Sequence, residues 1–169
     1  VNSGEQQTGF ARLDAETFPG FEPGWVWLVG AGPGAPSLMS LMCYHALQSC
    51  DVVVYDALVN PDILRWVKVG AELEYAGKRG GKPSPTQKDI TLRLIDLAQS
   101  GKRVLRLKGG DPFMFGRGGE ELETIRQAGI EAELVPGITS AIAVPASVGI
   151  PLTHRRFASQ VTIMTGHED

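Results

Sequence analysis

The stretch RLKGGDPFMFGRGGEE, residues 106–121, holds the residue types of this sequence best suited to chemistry. Gly109 and Gly110 expose bare main chain beside the carboxylate of Asp111, and Pro112 stiffens the turn that follows. A second glycine pair then opens an acidic segment. Main chain without Cβ atoms next to one acid suits a ligand that lies against the backbone, although turn geometry alone would also favour these glycines.

The elements that must position this stretch alternate between strand and helix. Apolar runs ended by breakers predict five strands, at residues 25–30, 51–56, 71–77, 102–109 and 130–137. Amphipathic spacing predicts helices at residues 61–67, 86–100 and 118–128. Ser37 is expected to cap a further helix of about a dozen residues, with Leu38 and Leu41 on its apolar face. The fold class is therefore α/β, a mostly parallel sheet of about five strands flanked by helices.

Two later segments extend this pattern. Residues 138–148 are apolar almost all round, which predicts a buried helix. Residues 160–166 predict the start of another strand. Residues 1–24 show no clear period and are expected to form a flexible leader.

The carboxyl ends of the five predicted strands carry the unusual residues. They read GAGPG, YD, AGKRGG, KGGDP and VPGITS in chain order. Ligands of parallel α/β sheets bind beyond these ends, so we expect the functional residues to meet at one edge of the sheet.

The first of these ends also fits a dinucleotide-binding fingerprint. Gly30, Gly32 and Ala35 match G-x-G-x-x-G/A, and Asp56 ends the second strand, where a ribose-binding acid would lie. Pro33 and Pro36 remove amide donors and delay the helix, which argues against this interpretation.

Composition excludes several classes of function. A formal net charge of −3 argues against a general nucleic-acid binder, and no apolar run is long enough to span a membrane. Cys43 and Cys50, about 10 Å apart if they share a helix, are expected to be core thiols rather than a disulfide or a metal site. Such thiols favour a reducing, cytoplasmic location, and no metal is expected.

Six motifs in order carry a family resemblance: GAGPG, VVVYDALV, GKRGGKPS, RLKGGDPFMFGRGGEE, VPGITSA and GIPLTHR. Together they resemble the tetrapyrrole methylases, from Trp25 to the end of the sequence. The resemblance implies that residues 25–160 form the N-terminal α/β domain of such an enzyme and that residues 161–169 begin the connection to a second α/β domain. That second domain is expected to lie outside this chain and to complete the active-site cleft.

The resemblance also implies a reaction. S-adenosylmethionine would methylate C2 and C7 of uroporphyrinogen III, giving precorrin-2 and S-adenosylhomocysteine. Precorrin-2 would then feed cobalamin or siroheme biosynthesis. The expected partner is this small tetrapyrrole, not a nucleic acid or a membrane, and the full-length protein is expected to be a homodimer.

Site residues follow by matching the family motifs to this sequence. S-adenosylmethionine is expected to contact residues of three strand ends, namely Pro33, Gly109, Gly110, Asp111, Met114, Thr139 and Ser140. The acid of YD, Asp56, would accept a proton, and the lysine of GK, Lys78, would donate one.

Basic residues could bind the eight carboxylates of the substrate, because arginine pairs well with carboxylates. The candidates are Arg106, Arg79, Arg117, His154 and Arg155.

Other interpretations stay open at this point. The chain could belong to another precorrin methylase of the same fold, or form a non-catalytic domain that binds a dinucleotide or S-adenosylmethionine. The isolated chain could also fold without catalysing a reaction.

Overall fold

The computed structural model of the chain describes residues 18–77 and 86–166. Its five strands are β1 (Val26–Gly30), β2 (Val52–Tyr55), β3 (Glu72–Tyr75), β4 (Val104–Lys108) and β5 (Ala132–Val135). Its helices are α1 (Leu41–Ser49), α2 (Pro61–Leu64), α3 (Gln87–Gln99), α4 (Gly118–Gln127) and α5 (Ser140–Ser147). A short 3₁₀ helix, Pro36–Leu38, precedes α1.

The strands form one sheet in the order β3-β2-β4-β1-β5, and every neighbouring pair is parallel. This arrangement confirms the predicted α/β class. All residues of β1 and β4 are buried, as expected of central parallel strands covered by helices on both faces. Gly30 aligns with Lys108, and Val29 aligns with Val135, so the chain leaves β1, β4 and β5 at the same edge.

Alternate strand residues build a core on each face of the sheet. One core contains the buried residues Trp27, Val29, Val53, Leu105, Leu107, Cys43, Leu47 and Ile63. The other contains Val26, Leu28, Val52, Val54, Val104, Leu94, Leu122 and Ile125.

Residues before Trp25 also contact the domain. Phe21 is buried and stacks on the ring of Trp27, with the ring centroids 4.5 Å apart. Arg103 Nε donates a hydrogen bond to the carbonyl of Phe21 at 2.7 Å. Residues 18–24 therefore pack on the domain, and the part of the predicted leader before residue 18 lies outside the described residues.

Asp51 ties together the amino-terminal edge of the sheet. Its Oδ2 accepts a hydrogen bond from the main-chain N–H of Arg103 at 2.9 Å, and its Oδ1 lies 2.9 Å from Lys68 Nζ. Burial alone would raise the pKa of Asp51, but the bonds from Arg103 and Lys68 outweigh it and hold that pKa below its usual value.

The cysteines are buried free thiols in the core, as predicted. Burial raises the pKa of both Cys43 and Cys50 to about 12, so the thiols stay protonated at neutral pH.

Two helix boundaries differ from the sequence prediction. Ser40, not Ser37, caps α1, and its Oγ accepts a hydrogen bond from Cys43 N–H at 3.1 Å. Pro36 instead starts the 3₁₀ helix, so Leu38 and Leu41 are exposed rather than part of an apolar helix face. The second helix ends at Leu64, short of the predicted residue 67.

The predictions for the last part of the chain were wrong in two respects. The segment expected to be a buried helix does form α5, but none of its residues is buried within the described structure. Residues 160–166 are exposed and form no strand. Apolar composition shows that a segment needs a partner surface, yet it does not show that the partner lies in the same stretch of chain. In the described ranges, no helix is long and apolar enough to cross a membrane.

Candidate active site at the carboxyl edge of the sheet

Four strand-end loops meet at the carboxyl edge. Gly32 and Gly110 form an antiparallel bridge, in which Gly110 N–H donates to the Gly32 carbonyl at 2.7 Å and Gly32 N–H donates to the Gly110 carbonyl at 3.2 Å. The amide of Asn60, after β2, donates to the Gly34 carbonyl at 2.7 Å. The loops after β1, β2 and β4 are thus held together by main-chain and side-chain hydrogen bonds.

Glycine is required where these loops touch. A Cβ added to Gly30 would lie 2.6 Å from the Gly110 carbonyl oxygen and 2.6 Å from Gly137 Cα, well inside van der Waals contact. Gly110 also has φ of +65°, which favours glycine. A Cβ on Gly109 would lie 2.6 Å from Leu58 Cβ. Gly30 therefore serves the close approach of main chain to main chain, Gly109 the approach of Leu58, and Gly110 a left-handed backbone conformation.

Asp111 braces the same edge with both carboxylate oxygens. Its Oδ1 accepts a hydrogen bond from Phe113 N–H at 2.8 Å, and its Oδ2 accepts one from Gly137 N–H at 3.0 Å. The side chain is half-buried, and it orients the loop after β4 against the loop after β5.

The other residues matched to S-adenosylmethionine lie around this brace. Pro33 follows the bridging Gly32, and Met114 follows the turn at Asp111 and is 37% exposed. Thr139 is the N-cap of α5, with its Oγ1 accepting a weak hydrogen bond from Ala141 N–H at 3.4 Å, and Ser140 is the exposed first residue of that helix. The structure brings all the predicted cofactor-binding residues to the loops of one edge.

Asp56 follows β2 at this edge and is half-buried. Its Oδ1 accepts a hydrogen bond from Leu58 N–H at 3.0 Å, which fixes the carboxylate above its own turn. Its Oδ2 lies 3.5 Å from Arg106 Nη2. Lys78 and Arg79, the other predicted residues of this region, lie outside the described residues.

Arg106 lies in the interior rather than at the surface where we expected it to meet a substrate carboxylate. Its side chain is only 2% exposed, because Arg106 projects from the fully buried strand β4. Nη1 donates to the carbonyls of Val54 and Leu107, each at 3.3 Å, and Nε donates to Glu121 at 3.1 Å. In this structure its guanidinium is fully engaged with the protein itself.

Glu121 and Lys108 were not among the predicted site residues, yet they complete this buried network. Glu121 on α4 is completely buried, and its Oε2 lies 3.0 Å from Lys108 Nζ. Its Oε1 accepts hydrogen bonds from Arg106 Nε and, at 2.5 Å, from Gln87 Nε2. Burial and the nearby Arg106 lower the pKa of Lys108, while Glu121 opposes that shift.

A signal for this network was present in the sequence. Glu121 precedes Leu122 and Ile125, which face the core, so the acid falls on the apolar face of its helix. An acid on such a face needs a buried basic partner, and alternation along β4 places Arg106 and Lys108 on one side of the sheet.

The remaining basic candidates lie at the surface. Arg117 is the N-cap of α4, with φ of 54°, and its guanidinium forms a paired contact with Glu120 at 3.0 and 2.5 Å. His154 and Arg155 are exposed in the segment after α5. The contacts of His154 are local, since its Nδ1 accepts from Arg156 N–H at 3.2 Å and its ring lies beside Phe157.

The profile of one protein family, the Tetrapyrrole (Corrin/Porphyrin) Methylases, matches residues 26–169, which include every strand and helix described above. The chain belongs to this family. As a tetrapyrrole methylase, it has its glycine loops and its acid Asp111 at the edge where the family motifs were expected to meet.

Individual relatives of this tetrapyrrole methylase are close in sequence and structure. A uroporphyrinogen-III C-methyltransferase from Sinorhizobium sp is 58% identical over 150 residues, covering 89% of this chain and 54% of the relative. One from Methanocaldococcus jannaschii is 53% identical over 145 residues, covering 86% of this chain and 60% of the relative. The chain thus spans little more than half the length of these relatives.

A solved structure of a related enzyme has the same fold as this chain. The uroporphyrin-III C-methyl transferase of Thermus thermophilus, complexed with S-adenosyl homocysteine, superimposes with a TM-score of 0.68 at 43% identity. The match covers 80% of this chain and 56% of the other.

Proposed function

We propose that the full-length protein carrying this chain transfers methyl groups from S-adenosylmethionine to C2 and C7 of uroporphyrinogen III. The products would be S-adenosylhomocysteine and precorrin-2, and precorrin-2 would feed cobalamin or siroheme biosynthesis. The observation that carries the proposal is the glycine-lined carboxyl edge braced by Asp111. The chain that carries it is 58% identical to a uroporphyrinogen-III C-methyltransferase.

The residues at this edge fit a nucleoside thioether that carries an amine. At Gly110 an added Cβ would meet only Thr139 Cα, at 3.9 Å, so this main chain is open to close approach. Gly109 would contribute its main chain, and the exposed side chain of Met114 offers apolar contact. The half-buried carboxylate of Asp111 favours a cationic group nearby. Pro33, Thr139 and Ser140 would complete the pocket from the adjoining loops.

When bound, S-adenosylmethionine supplies an electrophilic methyl group on a sulfonium. The chain must then hold the attacking carbon in line and manage the proton that methylation releases. Asp56 suits the role of proton acceptor, because its carboxylate is half-buried, fixed by Leu58 N–H and placed at the same edge. Lys78 remains our candidate for the proton donor.

Our candidates for binding the substrate carboxylates are the exposed basic residues Arg117, His154 and Arg155, together with Arg79. Arg106 differs from them, because its buried guanidinium already binds Glu121 and approaches Asp56. We therefore assign Arg106 to the support of Asp56 and not to direct substrate binding. We also propose that the full-length protein is a homodimer and that it works in the cytoplasm. The buried free thiols support the second part, because thiols persist in a reducing compartment.

Calorimetric titration of the full-length protein tests the cofactor assignment. S-adenosylhomocysteine should bind saturably, NAD should not, and Asp111→Ala should weaken binding by at least about ten-fold. Glu123→Gln, which changes an exposed acid that bonds only with Gln127 among the contacts described, is the matched control. Binding of NAD in place of S-adenosylhomocysteine would support a dinucleotide-binding domain and contradict the proposal.

A further inference from the structure

A network of four charged side chains links helix α4 to the candidate proton acceptor. Arg106 and Lys108 supply two positive charges from β4, while Glu121 and Asp56 supply two negative charges. Glu121 is in the middle, 3.1 Å from Arg106 and 3.0 Å from Lys108. The network is therefore electrically balanced, and only Asp56 at its outer end is substantially accessible.

A contribution to the stability of the fold is a weak explanation for this buried network of charges. Removing charges from water is expensive, and well-packed apolar residues often stabilise a core as much as a buried ion pair does. Glu121 nevertheless has no exposed surface, and three side chains, Arg106, Lys108 and Gln87, converge on its carboxylate. Hydrogen bonds with such defined directions hold the guanidinium of Arg106 in one orientation, which apolar packing could not do.

That orientation matters for Asp56. The Nε side of Arg106 is occupied by Glu121, its Nη1 is held by the carbonyls of Val54 and Leu107, and its Nη2 points to Asp56 Oδ2. Val54 belongs to β2, the strand that leads into Asp56. The same guanidinium thus holds both the carboxylate and the strand that carries it.

We propose that Glu121 is a positioning residue, which acts through Arg106 to fix the orientation and the basicity of Asp56. The inference rests on the proposed role of Asp56 as proton acceptor. Glu121 itself touches neither cofactor nor substrate in this scheme.

The sign of the electrostatic effect follows from the charges around Asp56. Arg106 and Lys108 of β4 favour the ionised carboxylate, and Glu121 of α4 partly neutralises both cations. Tyr55 and Tyr75, aligned partners at the ends of β2 and β3, also lie at this end of the two strands. Loss of the negative charge on Glu121 should therefore favour the ionised carboxylate of Asp56, while withdrawal of the guanidinium should favour its protonated form.

The test uses the full-length enzyme and the pH dependence of kcat/KM for methylation of uroporphyrinogen III. Glu121→Gln keeps the shape of the side chain. In this variant the acidic limb of the pH profile, where kcat/KM falls as the pH is lowered, should move to lower pH by about 0.5 pH unit. The value of kcat should fall about ten-fold. Arg106→Lys keeps a positive charge but shortens its reach, so its acidic limb should move to higher pH. The affinity for S-adenosylhomocysteine should stay within about two-fold in both variants.

Glu123→Gln is the matched control, an exposed acid two residues along the same helix, and should leave the limb unchanged. A purely structural role for Glu121 would lower the unfolding temperature and the active fraction without moving the limb. Unmoved limbs in both variants, or failure of both to fold, would overturn the inference.

Asp56→Asn separates this inference from the proposed function. If that variant abolishes the acidic limb while Glu121→Gln and Arg106→Lys leave it in place, the role of Asp56 stands and the positioning role of Glu121 falls. If Asp56→Asn retains both activity and the limb, Asp56 is not the proton acceptor, and the inference falls with it.

Discussion

The carboxylate of Asp111 holds the main chain of Gly137 across the carboxyl edge of the sheet, with Oδ2 accepting the glycine N–H at 3.0 Å. The two residues belong to loops that follow β4 and β5, strands separated in the sheet by β1. One acid thus brings together loops whose strands are not neighbours. It does so at the edge where we propose that the methyl donor binds.

Asp111→Ala should weaken both the fold and the binding of S-adenosylhomocysteine. The change leaves the N–H groups of Phe113 and Gly137 without their acceptor, a loss that we expect to lower the free energy of unfolding by about 1–3 kcal/mol. Urea unfolding and calorimetric titration measure the two effects. Asp111→Asn, which keeps one acceptor oxygen, should lie between wild type and the alanine variant. Unchanged stability in Asp111→Ala would contradict the bracing role.

A second prediction compares two glycines. Gly30→Ala should destabilise the protein by about 1–3 kcal/mol, because the new methyl group would meet main chain of Gly110 and Gly137. Gly119, in the first turn of α4, has open space around it, so Gly119→Ala should raise stability by up to about 1 kcal/mol. The unfolding temperatures of the two variants should shift in opposite directions from that of wild type. An unchanged unfolding temperature in Gly30→Ala would show that the loops separate easily.

The proton-transfer roles predict a loss of turnover without loss of cofactor binding. Asp56→Asn and Lys78→Met should each lower kcat by about 100-fold or more in the full-length enzyme, since each removes a proposed acid–base group. S-adenosylhomocysteine should bind as in wild type. Asp62→Asn, an exposed acid on α2 paired with Arg65, is a matched control that should keep its activity. Normal turnover in either catalytic variant removes that residue from the mechanism.

The pH dependence of stability should report on Asp51. Its pKa in the folded chain lies below the usual value of 3.8, so the carboxylate stabilises the fold fully above that value and loses its effect as pH falls through the folded pKa. Asp51→Asn should therefore lower the free energy of unfolding by about 1–3 kcal/mol near pH 7. The difference should shrink steadily below about pH 4. Urea unfolding across this range measures it, and a constant difference would mean that packing, not charge, is lost.

Local rules predicted much of this fold. The apolar runs located all five strands, and the predicted helix at residues 86–100 was confirmed as α3, which Thr86 caps together with Asp89. Parallel pairing follows from the alternation of strands and helices, and it alone brings the glycine loops to one edge. These features depend on short stretches of sequence, where periodicity and capping are strong signals.

Contacts between distant residues were harder to predict. Arg106 was predicted to bind a substrate carboxylate, but its side chain is buried and pairs with a buried acid of α4. The apolar helix α5 shows the opposite case, in which a composition typical of the interior lies exposed in the described structure. The burial of Arg106 and of α5 depends on which residues pack against them, and local sequence patterns do not reveal which residues those are.

The position of β1 has a consequence for synthesis on the ribosome. Val26 begins the first strand among the described residues, yet its partners are Val104 of β4 and Ala132 of β5, which are translated much later. The nascent chain must therefore carry an apolar, unpaired strand while most of the domain is still being made. Formation of the sheet depends on the late arrival of β4 and β5, so pauses in translation before residue 132 would prolong exposure of β1 to chaperones or to aggregation.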